Sequence, residues 1–347
     1  MSVSHAETSR RRHMGGSLRR LVAAAALCAV SAVRAADGEL GPEKAGSLPI
    51  ADIHFHAMAF MSPTDLAARM DARNIRWAGG AGAASAPPRL TGPQRDEEFQ
   101  ALLKDRYIRA TGLSEIAFAY RDERDPFFTG TDTPLQKSVL ETLEGHLKDG
   151  RATSIAEVHV NSRTSAPLAV LNRKVPADSS LMKKLMDLSA RYKAPLSVHM
   201  QFDSDSVQQL HGLLQVKPDG ILVLAHCGKD TVAEQVRPFL QKYGNVYCDL
   251  SFRSTPQEKG RFPERIIFTR TSLDPAWRAL IEEFPDRFMV GVDDVHSWGE
   301  YDQVVDSIRL GLLARLSPQT AEKVAFRNGE RLFRLKELGA AAKPPAN

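Results

Sequence analysis

The sequence predicts an α/β protein, a single (β/α)8 TIM barrel preceded by a signal peptide. Three observations predict it. Eight short apolar, strand-like runs recur along the 347 residues. Most of the intervals between them carry apolar residues at helical spacing. Most of the strand-like runs end in a histidine or an aspartate. Alternation of β and α requires parallel strands joined by crossover helices, and eight repeats in about 290 residues suit a closed barrel. An open doubly wound sheet is the alternative topology.

The elements follow in chain order. "SRRRHMGGSLRRLVAAAALCAVSAVRA" combines a basic front, an apolar run from Leu21 to Val33 and a small-x-small site at 33–35, the pattern of an export signal cut after Ala35. The apolar run is shorter than the roughly 20 residues a membrane span needs. A soluble secreted protein, periplasmic in a Gram-negative source, with no membrane attachment after cleavage, is the expectation; Met14 is an alternative start. Residues 36–47 read as a linker, 48–336 as the barrel and 337–347, ending "GAAAKPPAN", as a disordered tail. Strands are expected at 50–57, 75–79, 107–111, 153–160, 196–201, 221–227, 246–252 and 287–292. Helices are expected at 62–73, where Ser62 precedes Pro63 as an N-cap, and at 93–105, 133–149, 179–192, 230–243, 274–284, 300–316 and 317–335. Two irregular stretches, 79–93 and 253–272, leave strand carboxyl ends and are expected as rim loops.

Bulk properties exclude several functions. The chain is 43% hydrophobic and 25% charged, an ordinary globular balance. Removing the six Arg and one Glu of residues 1–35 from the 46 basic and 42 acidic residues leaves a net charge of −1, so nothing global attracts nucleic acid. Only Cys227 and Cys248 remain after cleavage, too few for a disulfide framework; they are expected as buried, inert thiols. The expected partner is a small molecule, and the oligomeric state stays open.

The chemistry concentrates at strand ends. In "PIADIHFHA" Asp52, His54 and His56 share one strand face. The fourth strand adds Glu157 and His159 on one face, the fifth ends in His199 and the sixth in His226. The seventh offers Asp249, Ser251 and Arg253, and the eighth ends in Asp293, whose parity points it inward. Barrel closure gathers these ends on one rim, and imidazoles with carboxylates there suit a divalent transition metal, zinc above others. Arg253 at the mouth suits a substrate carboxylate or phosphate, His159 suits substrate or a second metal, and Asp52 suits orienting an imidazole from below.

The order His-x-His on strand one, His on five, His on six and Asp on eight, with "AEVH", "AHCG", "CDLSFR", "DRFMVGVD" and the closing "RNGERLFRL", resembles the amidohydrolase superfamily in its amidohydrolase-related branch, over roughly 48–336. The resemblance implies a metal-dependent hydrolase of a small amide, ester or lactone. His54, His56, His199 and Asp293 would hold one metal, and His226 would hydrogen-bond the water or the substrate oxygen. Asp293 would carry the proton. With a second ion, Glu157 would bridge and His199 and His226 would hold it. Many binuclear relatives carry a carboxylated lysine where this chain has Glu157. A carboxy-lyase using the same ligands is the second reading. A nuclease-like deoxyribonuclease is the third, disfavoured by the near-zero charge.

Overall fold

The computed structural model describes residues 38–82, 92–162, 170–258 and 265–336. The expected export signal and tail lie outside them, as do parts of both expected rim loops. Every expected strand occurs. They are β1 (Ile50–Phe55), β2 (Ile75–Gly80), β3 (Tyr107–Ile108), β4 (Ala110–Gly112), β5 (Ser154–Asn161), β6 (Leu196–Met200), β7 (Leu222–Leu224), β8 (Val246–Asp249) and β9 (Phe288–Met289). The third expected strand is interrupted at Arg109, which makes nine segments of eight.

All pairings between these strands are parallel. One sheet runs β1-β2-β3 and the other β4-β5-β6-β7-β8-β9. At the far edges, Ile53 N donates to Val290 O at 3.2 Å and Asp293 N to His54 O. Val292 N also donates to Oδ1 of Asp52 at 2.8 Å. Residues 290–293 are therefore tied to β1. Gly291 permits this approach, because a Cβ there would lie 2.5 Å from that of His54. Both faces of the strands are covered, as parallel sheets require: all eight residues of β5 are buried. Phe55, Trp77, Phe99, Phe239 and Phe288 fill the space between strands and helices, each fully buried.

The helices start where capping chemistry places them. Ser62 accepts from Asp65 N at 3.0 Å ahead of the helix Pro63–Ala72. Thr133 accepts from Gln136 N ahead of Pro134–Lys148, and Asp274 accepts from Ala276 N and Trp277 N ahead of Pro275–Glu283. Each pairs a side-chain acceptor with Pro at the first turn, the arrangement that satisfies orphan N–H groups without needing the proline's own. Several helices lie outside the expected ranges. Leu113–Glu123 begins directly at the end of β4, with no loop to announce it. Ser204–Val216, capped by Asp203, fills the interval between β6 and β7. Pro42–Ser47 lies in the stretch expected as a linker. That stretch is docked: Leu40 N donates to Leu316 O, and Arg309 Nη1 to the carbonyls of Ala45 and Leu48. The folded unit therefore takes in residues from Gly38. Among the described residues no helix is long and apolar enough to cross a membrane. Cys227 and Cys248 are free and buried, as expected.

Candidate active site

β1 delivers His54 and His56. His54 Nδ1 donates to Oδ2 of Asp249 at 3.1 Å, and His56 Nδ1 donates to the Gly82 carbonyl at 2.9 Å. A neutral ring so held presents its Nε2 lone pair on the other side. Both Nε2 atoms face the same two oxygens. Oε2 of Glu157 lies 3.8 Å from His54 and 3.7 Å from His56; Oδ1 of Asp293 lies 3.6 and 3.4 Å away. A second group faces the other oxygen of Glu157. Its Oε1 lies 2.9 Å from His199 Nδ1 and 3.3 Å from His226 Nε2. His226 Nδ1 donates to the Ser251 carbonyl at 3.1 Å, which leaves Nε2 towards Glu157. The register pairs His159 with His199 across β5 and β6, and their rings stack at 4.4 Å. His159 Nε2 sits 3.2 Å from Glu157 Oε2.

Tight turns at strand carboxyl ends aim these groups. His226 (φ 57°), Cys227 (φ 54°), Phe252 (φ 52°) and Asp293 (φ 71°) are left-handed without being glycine. Such backbone costs of order 1–3 kcal/mol per residue and clusters at functional sites.

The electrostatics follow from three buried carboxylates among imidazoles. Burial alone would lower His54, but Asp249, Asp293 and Glu157 raise it to about 9. His56 is likewise raised well above its ordinary value, because hydrogen bonds to Asp293 and Glu157 outweigh burial. Burial would raise Glu157, but His159, His199 and His54 hold it well below the carboxylate range. Burial, helped by repulsion from His159 and His226, pulls His199 down to about 3 despite Glu157.

The donor set fits a divalent cation. Among the described residues three groups bring ligand atoms within 4.8 Å of one another: His54, His226 and Asp293; His54, His56 and Glu157; and Glu157, His199 and His226. His54 Nε2 is buried and has no hydrogen-bond partner, a costly state for a polar atom that a bound cation relieves. The 3.4–3.8 Å separations of the His54 and His56 Nε2 atoms from the Glu157 and Asp293 oxygens match the roughly 3.4 Å edge of a tetrahedron with bonds of about 2.1 Å.

The expected residues are thus largely brought together, with two corrections. His199, expected beside His54, His56 and Asp293 or, with a second ion, beside Glu157 and His226, groups with the latter pair, and Glu157 also groups with His54 and His56. Arg253 was expected at the mouth as an anion clamp. It is fully buried, with Nε on Arg265 O, Nη1 on the carbonyls of His226 and Gly228, and Nη2 on Thr231 O. Its guanidinium is spent on loop backbone, because the chain leaves the extended conformation at Phe252. Asp52 was expected to orient an imidazole; it accepts instead from Val292 N and the Tyr301 hydroxyl. The residue that does orient an imidazole is Asp249, which accepts from His54 Nδ1. It also accepts from His226 N and Ser251 N. Its shared parity with Ser251 in "CDLSFR" was the available signal.

Imidazoles and carboxylates gathered at the carboxyl ends of parallel strands define an enzyme active centre. The sequence matches the family model described as Amidohydrolase over residues 51–335. The chain belongs to the amidohydrolase family and is an enzyme of that superfamily. No curated protein matches the sequence. Among solved structures, an Acinetobacter baumannii protein described as a probable 2-pyrone-4,6-dicarboxylic acid hydrolase, with citric acid bound, is similar at 14% identity, covering 83% of this chain and 100% of that one (TM-score 0.51). Dihydroorotase from Campylobacter jejuni is similar at 14% identity, covering 84% of each chain (TM-score 0.50). 2,6-Dihydroxybenzoate decarboxylase from Rhizobium is 14% identical, covering 78% of this chain and 87% of that one (TM-score 0.42). At such identities the likeness is one of fold.

Proposed function

We propose that this enzyme is a metal-dependent hydrolase of a small-molecule amide, ester or lactone, built on a closed (β/α)8 barrel. The observation that carries the reading is Glu157. One of its oxygens faces His54 and His56 and the other faces His199 and His226, the posture of a carboxylate bridging two cation positions. His54, His56 and Asp293 would hold one ion, His199 and His226 a second, with zinc the best match to an N/O donor set. Ions held there supply Lewis acidity and water of lowered pKa, and a pair clamps attacking and leaving oxygens.

The chain's own residues do the rest. Asp293 stands between His56, 3.4 Å from Oδ1, and His226, 3.5 Å from Oδ2. It takes a proton from the attacking water and returns it to the leaving group. With a single ion bound, His226, oriented by Ser251, would instead hydrogen-bond the substrate oxygen. The hydrogen bonds from residues 290–293 to β1 support closure of the barrel. Residues 1–35 would export the enzyme, and the mature protein would act in the periplasm or outside the cell. Metal analysis of the purified protein, joined to turnover of lactones, esters and amides in 18O-labelled water, tests the reading. Incorporation of label into the carboxylic acid product is expected; release of CO2 without incorporation assigns the carboxy-lyase reaction instead.

A further inference from the structure

With Arg253 engaged elsewhere, a different buried cation lies beside the site. Arg173 is 2% exposed. Its Nε donates to the carbonyl of His159 at 2.6 Å and its Nη1 to that of Val170 at 3.3 Å. The guanidinium packs against the Tyr120 and Phe128 rings, at 4.7 and 5.0 Å. Burial lowers it to about 10, so it stays charged at neutral pH.

Among the described residues no carboxylate pairs with it, in contrast to Arg69, Arg73 and Arg106. The adjoining segment 163–169, "RTSAPLA", contains no acid. A guanidinium has five N–H groups in a fork matched to a carboxylate. Two of them are used here, both on neutral carbonyls. A buried charge without a counter-charge is costly; Arg253 and Arg309 offset that cost with four and three backbone carbonyls, whereas Arg173 has two. A second orphan adjoins it: Nδ1 of His159, the residue whose carbonyl Arg173 holds, is buried with no hydrogen-bond partner. The other nitrogen of that ring faces Glu157 at 3.2 Å, so Arg173 holds the backbone of a residue whose ring faces the proposed chemistry.

We propose that Arg173 is the carboxylate-binding residue of this enzyme, and that the substrate is a carboxylate-bearing molecule anchored at the end of β5 beside Glu157. This rests on the proposed hydrolase reading for the reaction, and on Arg173 alone for the anion.

The test uses the purified full chain as isolated, with benzoate and acetate as probes and benzamide as the neutral twin of benzoate, titrated calorimetrically. Wild type is expected to bind a carboxylate probe and to bind benzamide at least about tenfold more weakly. Arg173→Gln should weaken carboxylate binding about tenfold or more and leave benzamide binding and metal content unchanged. Arg173→Lys, which keeps the charge and loses the fork, should fall between them. If the Gln variant does not fold, the Lys variant and the wild-type contrast between benzoate and benzamide decide. Carboxylate binding equal in Arg173→Gln and wild type overturns the proposal, as does equal affinity for benzoate and benzamide, or no binding of either carboxylate. Metal content is measured on the same samples, so failure of the metal reading is seen separately from failure of the anion site.

Discussion

Replacing Asp249 by Asn isolates one hydrogen bond that governs the site. Asp249 is fully buried. Oδ1 accepts from His226 N at 3.2 Å and Ser251 N at 3.0 Å, and Oδ2 accepts from His54 Nδ1 at 3.1 Å. An asparagine keeps Oδ1 for the backbone donors and turns an NH2 towards His54. A donor cannot face a donor, so Nδ1 must become the acceptor and the ring proton moves to Nε2. That nitrogen is the one aimed at Glu157 and Asp293, and a protonated Nε2 cannot ligate. Loss of such an outer partner costs about 10–100-fold in metal affinity, or about 1.4–2.8 kcal/mol. Fold stability should change by less than about 1 kcal/mol, because the backbone donors keep their acceptor. Asp249→Ala strands both backbone N–H groups, at about 1–3 kcal/mol each, and should lose stability as well as metal. Zinc affinity is read by competition with a chromophoric chelator and stability by urea denaturation. Wild-type zinc affinity in Asp249→Asn would refute the reasoning.

Three further outcomes are expected. In the metal-free chain His54, raised to about 9, and His56, raised well above its usual value, both carry protons at pH 7. Metal uptake should therefore release about two protons and weaken as pH falls. A raised folded-state value also stabilises the metal-free chain below about pH 6.5 and loses that contribution as pH rises through about 9. Calorimetry in buffers of different ionisation enthalpy measures the release, and a buffer-independent heat would contradict it. Arg253→Ala should destabilise the fold by at least about 3 kcal/mol, since it frees buried carbonyls of His226, Gly228 and Thr231. A well-folded variant with a raised KM for anionic substrates alone would restore the clamp. Gly291→Ala should cost about 1–3 kcal/mol and also lower zinc affinity, because the new methyl meets His54 Cβ at 2.5 Å. Unchanged zinc affinity would show that β1 yields without moving the imidazole.

Much of the site was legible because strands have a period of two. His54 and His56 share a face whatever the fold around them, and so do Glu157 and His159. Asp293 reaches the site although it lies past the end of β9 and is left-handed. The rule fails where the chain stops being a strand. Arg253 continues the parity of Asp249 and Ser251 on paper, but Phe252 turns left-handed and the guanidinium swings into the loop carbonyls. His226 lies in a one-turn 3-10 segment after β7, not within the strand. The helix Ser204–Val216 was readable: Asp203 caps it, and Leu210, Leu213 and Leu214 form its buried face. Leu113–Glu123 was not, because it starts at the strand's last residue with only a glycine before it.

Residue chemistry and local period determined, from the sequence alone, that imidazoles and carboxylates sit at the ends of parallel strands. Which oxygen of Glu157 faces which ring, that Asp249 holds His54 from 195 residues away, and that Arg173 stands without a partnering acid among the described residues were decided only by the tertiary structure. These are differences of an ångström or two between segments distant in the chain. Sheet register and the turns at the strand ends set such distances, and neither is written into any one segment.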